Sequence, residues 1–454
     1  MEDEDHFTAM SDLLIRNATV VNEGVARQAD VLVRGGRIER VEHSGIGQAR
    51  GAKELDAEGL HLLPGAIDDQ VHFREPGLTH KDDIASASAA AVAGGITSYM
   101  EMPNTVPSAL TQKLLADKYR MGAANSLANY SFHMGISNTN LDEVLRTDPR
   151  TVCGLKAFLG SSTGDMLIDN ESVLDELFRQ AHMIISVHAE LDPLIKANMA
   201  AAVARYGVDI PVTEHPRIRS EEACYLSSSR AVARAREFGT RLHVLHISTA
   251  RELELFAPGP LDGKKITAEA CIHHLWFDEQ AYADKGTLVK WNPAIKTRAD
   301  RDAIRRAVVE GRIDVVATDH APHTLEEKAQ PYAKCPSGGP LVQHALVAML
   351  ELMHQGVFTL EQVVEKMAHA PARLFEVELR GFIREGHCAD LVLVDLHSPW
   401  TVSRANLRYK CGWSPFEGQT FQAQVKHTFV NGQHVYANGQ LDRSVRGERL
   451  LFTR

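Results

Sequence analysis

Between residues 62 and 318 short runs rich in Val, Ile, Leu and Ala recur eight times, at 62–67, 96–102, 130–135, 152–159, 183–187, 242–247, 265–270 and 313–318. Strands covered on both faces read as continuous apolar runs rather than alternating ones. Helix-like stretches separate them, such as 83–92, stopped by Gly94-Gly95, and 221–237, rich in Ala, Arg and Ser. Eight strands alternating with helices is the count of an α/β fold of the (β/α)₈ TIM-barrel type, whose strand ends converge on one mouth. The chain has 454 residues, more than the ~250 such a barrel needs. The excess lies at the two ends, and both read as β-structure. Residues 13–21 and 29–41 are rich in β-branched side chains, the second run broken by Gly35-Gly36. Residues 389–394 form another apolar run, and Asn431-Gly432 between 425–430 and 433–436 is a strong hairpin signal. The expected organisation is a small β-sandwich domain built from both termini, residues 1–62 and 386–454, around a barrel of residues 63–385.

A hydrophobic content of 44% with 24% charged residues is that of a globular protein. The formal charge of −10 argues against a nucleic-acid or anionic-membrane surface. The acidic start Met1-Glu2-Asp3-Glu4-Asp5-His6 reads as a solvated, disordered tail. No signal-peptide pattern or long apolar run appears, which predicts a cytoplasmic location. Six scattered cysteines without a Cys-x-x-Cys pair read as reduced thiols.

Reactive residues fall where the barrel pattern puts its mouth. His72 follows the first strand, Lys156 lies in the fourth, His188 ends the fifth, His246 the sixth, and Asp319 follows the eighth. In Asp68-Asp69-Gln70-Val71-His72 the residues Asp68, Gln70 and His72 share one strand face. An Asp-x-His-x-His strand would offer two imidazoles there. Gln70 offers only an amide oxygen, a poor ligand for zinc. An ammonium at Lys156, inside an apolar strand, is costly unless paired or deprotonated. The neutral amine can capture CO₂, and the resulting carbamate can bridge two metal ions. One ion would then have Lys156, His188 and His246, the other Lys156, His72, Asp319 and what Gln70 can give. His243, three residues before His246, is expected to point away and to be structural.

The runs His72-Phe73-Arg74-Glu75-Pro76-Gly77, Met102-Pro103-Asn104-Thr105, His246-Ile247-Ser248-Thr249 and Ala317-Thr318-Asp319-His320-Ala321-Pro322-His323 resemble those of the dihydroorotases, within the cyclic amidohydrolase superfamily. The resemblance spans nearly the whole chain, in family order, through Gly386-His387-Cys388-Ala389-Asp390 and Gly412-Trp413-Ser414-Pro415-Phe416. It implies reversible, zinc-dependent hydrolysis of (S)-dihydroorotate to N-carbamoyl-L-aspartate, in pyrimidine (UMP) synthesis, with Asp319 as the base. It also implies that Arg74, Asn104 and His323 hold the substrate carboxylate, while Asn292, Gly338 and Gly339 border the ring. Superfamily members acting on hydantoins or allantoin usually lack the Arg74 and Asn104 counterparts. His274 and His320 are expected to pack behind the ligands.

The expected partners are a small-molecule substrate, a second copy of the chain in a homo-oligomer such as a dimer, and aspartate transcarbamoylase. A catalytically inactive partner of that transcarbamoylase is a competing reading, since loss of an imidazole at Gln70 is the kind of change such relatives show. A hydantoinase- or allantoinase-type enzyme is another. Lys156, His188, His246, Asp319, Arg74, Asn104 and His323 are all in place, which favours activity. The expected cofactor is one firmly held Zn²⁺ and a second, weaker ion beside Gln70, with Lys156 carboxylated.

Overall fold

A computed structural model describes residues 12–160 and 166–454; the acidic start of the chain lies outside them. The barrel strands are β1 (Ala66–Val71), β2 (Ile96–Glu101), β3 (Asn129–Phe132, continued after His133 by Met134–Gly135), β4 (Leu155–Phe158), β5 (Ile185–His188), β6 (Leu242–Val244), β7 (Ile266–Cys271) and β8 (Val315–Ala317). Each pairs in parallel with the next. The ring closes where the chain leaves β8: Val71 bridges in parallel to His320, and His72 N donates to His320 O at 2.7 Å. The protein is therefore an α/β barrel of eight parallel strands with a second sheet built from both termini.

The helices follow local chemistry. Ile84–Ala93 starts at Asp83, which accepts from Ser86 N at 2.8 Å, and its buried alanines pack on the barrel with little side-chain entropy to lose. Glu221–Phe238 runs from a Ser220 cap to Gly239 in the left-handed conformation.

Among the described residues the terminal sheet has nine strands. Leu13–Asn22 pairs with Val25–Arg34 and, in parallel, with Lys53–Asp56 and His61–Pro64. Leu391–Asp395 then joins antiparallel to His61–Pro64, uniting the two ends of the chain. Asn431 and Gly432 both have positive φ, 51° and 74°, the conformation that suits a two-residue hairpin between Gln424–Val430 and Gln433–Ala437. Leu13, Ile15, Val20, Val31, Leu62, Leu391, Leu393 and Phe429 form this sheet's own core.

The structure departs from the sequence reading at strand limits. The apolar run 62–67 splits at Gly65. His61–Pro64 belongs to the terminal sheet and Ala66–Val71 opens the barrel. A side chain at Gly65 would come within 2.1 Å of Thr97 Oγ1, so the crossing needs glycine. The run 242–247 yields a strand only to Val244, because His246 turns into positive φ at 39°. Among the described residues, no helix is long and apolar enough to cross a membrane.

Candidate active site

The strand ends enclose a cavity of about 710 Å³ lined by Gln70, His72, Arg74, Asn104, Lys156, His188, His246, Asn292, Asp319, His323 and Gly338. Of the residues expected at the site, Gly339 alone is not part of this lining. A side chain there would run into Trp291 and Trp413. Three lining residues, Arg74 (φ 70°), His246 (39°) and Asp319 (48°), hold left-handed backbone conformations. Such conformations cost of order 1–3 kcal/mol each and persist where the surroundings impose them. Here they turn each side chain off its strand and into the cavity.

The imidazoles come in two groups. His188 Nδ1 and His246 Nε2 face each other at 3.0 Å. The other nitrogen of His188 lies 3.0 Å from Glu190 Oε2. Burial would raise the Glu190 carboxyl, but the Arg219 guanidinium and His188 outweigh it and hold it at about 2. The Glu190 carboxylate thus lies beside the ring nitrogen of His188 that faces away from His246. In the second group His72 Nδ1 donates to Asn104 Oδ1 at 2.8 Å, and His72 Nε2 sits 3.0 Å from Asp319 Oδ1. Asn104, expected on the substrate, thus spends its carbonyl oxygen orienting His72 and keeps its amide N–H groups for a ligand.

Lys156 is 1% exposed, and its Nζ has no hydrogen-bond partner among the described residues. Burial drives its amine down to about 7 and pushes the Asp319 carboxyl up to about 7, despite the opposing charges of Lys156, His188 and Arg74. The facing imidazole nitrogens of His188 and His246, the Lys156 amine and the Asp319 carboxylate form a donor set whose chemistry fits a divalent cation. Two ligand atoms 2.0–2.1 Å from a tetrahedral zinc are about 3.4 Å apart, so 3.0 Å pairs fit such an ion after a small opening.

Gln70 is directed differently. Its Nε2 donates to Asp319 Oδ1 at 3.3 Å, and its Oε1 lies 3.7 Å from Cys271 Sγ. Asp68, on the same strand, is taken up outside the cavity by Thr318, whose Oγ1 donates at 2.6 Å.

The far side of the cavity carries Arg74, His323 and Lys81, the last paired with Glu327 Oε1 at 3.2 Å. Arg74 Nε donates to Pro322 O at 3.1 Å, and its Nη2 lies 3.1 Å from His323 Nε2. Lys81, not anticipated from the sequence, donates to His323 Nδ1 at 3.0 Å. Burial lowers the Arg74 guanidinium to about 10, and among the described residues no carboxylate forms an ion pair with it. Asn292 Oδ1 and Trp291 Nε1 are buried without hydrogen-bond partners among the described residues. His320 Nδ1 accepts from Leu341 N, and His274 Nε2 lies 3.1 Å from Pro293 O, so both hold backbone behind the site. The sequence signal for Glu190 was an acid two residues after His188. For Lys81 there was none, because a lysine in a loop ahead of a helix reads as solvated surface.

Residues 61–435 match the amidohydrolase family. The chain is 35% identical over 427 residues to a dihydroorotase of Halobacterium salinarum, covering 93% of this chain and 96% of that one. It is 32% identical over 452 residues to an allantoinase of Deinococcus radiodurans, covering 98% and 99%. Its fold is similar to that of the L-hydantoinase (dihydropyrimidinase) of Arthrobacter aurescens, with a TM-score of 0.91, 25% identity and coverage of 95% and 98%. With a strand-end cavity of this make-up, the chain belongs to the amidohydrolase family and is a cyclic amide hydrolase.

Proposed function

We propose that this enzyme is a dihydroorotase, hydrolysing the ring amide of (S)-dihydroorotate reversibly to N-carbamoyl-L-aspartate in pyrimidine synthesis. Relatives named for dihydroorotate and for allantoin lie at similar identity, so names do not decide. The observation that carries the reading is Arg74, a buried guanidinium in the cavity wall with no carboxylate partner among the described residues. A planar fork left unpaired suits a ligand carboxylate, and dihydroorotate has one where hydantoin and allantoin do not. Asn104 amide N–H groups and the Lys81-bound His323 complete the anion pocket. Asn292 Oδ1, without a hydrogen-bond partner among the described residues, suits a ring N–H.

Lys156, His188 and His246 would hold one Zn²⁺, and Lys156, His72 and Asp319 a weaker second. Bound ions of this kind lower the pKa of water from 15.7 to roughly 7 and polarise a carbonyl. The Lys156 amine, neutral in part near pH 7, adds to CO₂ with loss of one proton, giving a carbamate that can serve both ions. Asp319 accepts the proton of the attacking water and returns it to the departing ring nitrogen. The test is kcat/KM for dihydroorotate, hydantoin and allantoin, in wild type and Arg74→Met. A preference for dihydroorotate that Arg74→Met abolishes supports the reading. A metal-loaded enzyme that turns over allantoin or hydantoin but not dihydroorotate overturns it.

A further inference from the structure

Inside the barrel, apart from the cavity lining, lies a second set of donors. Asp69 on β1, His243 on β6 and Glu269 on β7 are each 0% exposed and present ligand atoms all within 4.8 Å of one another. Asp69 Oδ1 and Oδ2, Glu269 Oε2 and His243 Nε2 have no hydrogen-bond partner among the described residues. Four adjacent orphaned donor atoms in a closed core would be a heavy desolvation cost with nothing between them.

The tautomer of His243 sharpens the point. Thr267 Oγ1 donates its only proton to Leu242 O at 3.2 Å, so it accepts from His243 Nδ1 at 2.9 Å. In the neutral imidazole the Nε2 lone pair therefore points at two carboxylates, 3.3 Å from Asp69 Oδ2 and 3.7 Å from Glu269 Oε2. A proton on Nε2 is the competing occupant: against the effect of burial, Asp69 and Glu269 raise the imidazole to about 9, so an ion binds by displacing that proton. Charge-assisted hydrogen bonds, however, run about 2.7–2.9 Å, shorter than both gaps. Edges of about 3.4 Å are what a tetrahedral ion with 2.0–2.1 Å bonds requires. A metal-bound histidine has its other ring N–H held by an acceptor, the part that Thr267 Oγ1 takes here.

We propose that Asp69, Glu269 and His243 bind a divalent cation of the zinc class, in a closed site distinct from the one at the barrel mouth. Two carboxylates and one neutral imidazole balance its charge. Glu269 links the two levels, since its other oxygen accepts from His246 N at 3.0 Å and lies 3.2 Å from Cys271 Sγ. The buried ion thus steadies the backbone that carries the His246 imidazole.

Zinc-edge anomalous diffraction from crystals of the full-length enzyme grown with excess zinc tests this directly. The expected result is a peak about 2.0–2.2 Å from Asp69, Glu269 and His243 atoms; no peak there overturns the proposal, whatever the mouth shows. Zinc per chain after dialysis against a chelator gives a second readout. Asp69→Asn and Glu269→Gln should each lose one slowly exchanging equivalent, and folded variants retaining the wild-type zinc content would also refute the site.

Discussion

Gln70→His should tighten one metal ion and leave the other alone. The Gln70 amide donates to Asp319 Oδ1 at 3.3 Å, the oxygen that His72 Nε2 also faces at 3.0 Å. It therefore competes for a lone pair that an ion at His72 and Asp319 would use. Loss of a residue that merely orients a ligand weakens metal binding 10–100-fold. Taking the upper figure for a direct imidazole ligand gives about 2.7 kcal/mol. Removing the competing amide hydrogen bond, worth about 1 kcal/mol, adds to this and gives about 3.7 kcal/mol, or roughly 500-fold. His188 and His246 pair with each other and with Glu190, not with Gln70, so an ion there has no reason to respond. Zinc titration of metal-stripped protein against a competing chelator separates the two binding steps. Equal tightening of both steps, or none in the weaker one, would refute this division of the site.

Arg74→Met should raise KM for dihydroorotate by about 30–150-fold, as expected for loss of a charge-assisted pair of about 2–3 kcal/mol, with hydantoin hydrolysis unaffected; steady-state kinetics on both substrates decide it. Reconstituting the apoprotein with zinc in CO₂-free buffer should lower the metal content if Lys156 must become a carbamate, and readdition of bicarbonate should restore it; unchanged loading by elemental analysis counts against that chemistry. His344 offers a pH test away from the site. Burial lowers its imidazole to about 3 from an ordinary 6.5, so the unfolded chain binds a proton between those values that the folded chain refuses. Stability is therefore complete above about pH 6.5 and is lost as pH falls toward 3, by about 2 kcal/mol at pH 5. Urea unfolding at pH 7 and pH 5 should show a smaller drop for His344→Gln than for wild type.

Much of this architecture was legible because it rests on local pattern. Apolar runs at barrel spacing, the Asn431-Gly432 turn and the Gly94-Gly95 stop each carry their own short-range physics. The limits of the elements were less so. A run such as 62–67 is equally apolar in either sheet, and only the contact between Gly65 and Thr97 decides where one ends. Positive φ at Arg74, His246 and Asp319 is likewise imposed by the fold and not by residue preference. The task of Asn104 could not be read from spacing, since it depends on the His72 imidazole, brought near it from a different strand end.

The polar segment Asp68–His72 shows why the site and the fold cannot be separated here. Asp68 takes Thr318 after β8, Asp69 faces His243 and Glu269 of β6 and β7, Gln70 meets Asp319 and Cys271, and His72 meets Asp319 and Asn104. His72 N also closes the barrel through His320 O. A strand that had only to close the ring would be apolar like its neighbours. This one accepts two buried aspartates and an amide, and each finds a counterpart on a strand across or beside the seam. Gln70 is therefore more than a missing ligand. Its amide ties β1 to Asp319 and reaches toward Cys271, so an imidazole restored at that position trades part of the seam for a metal bond. The seam should then loosen as the weaker ion tightens, and a Gln70→His protein should gain metal affinity while becoming less stable than wild type once its metal is removed.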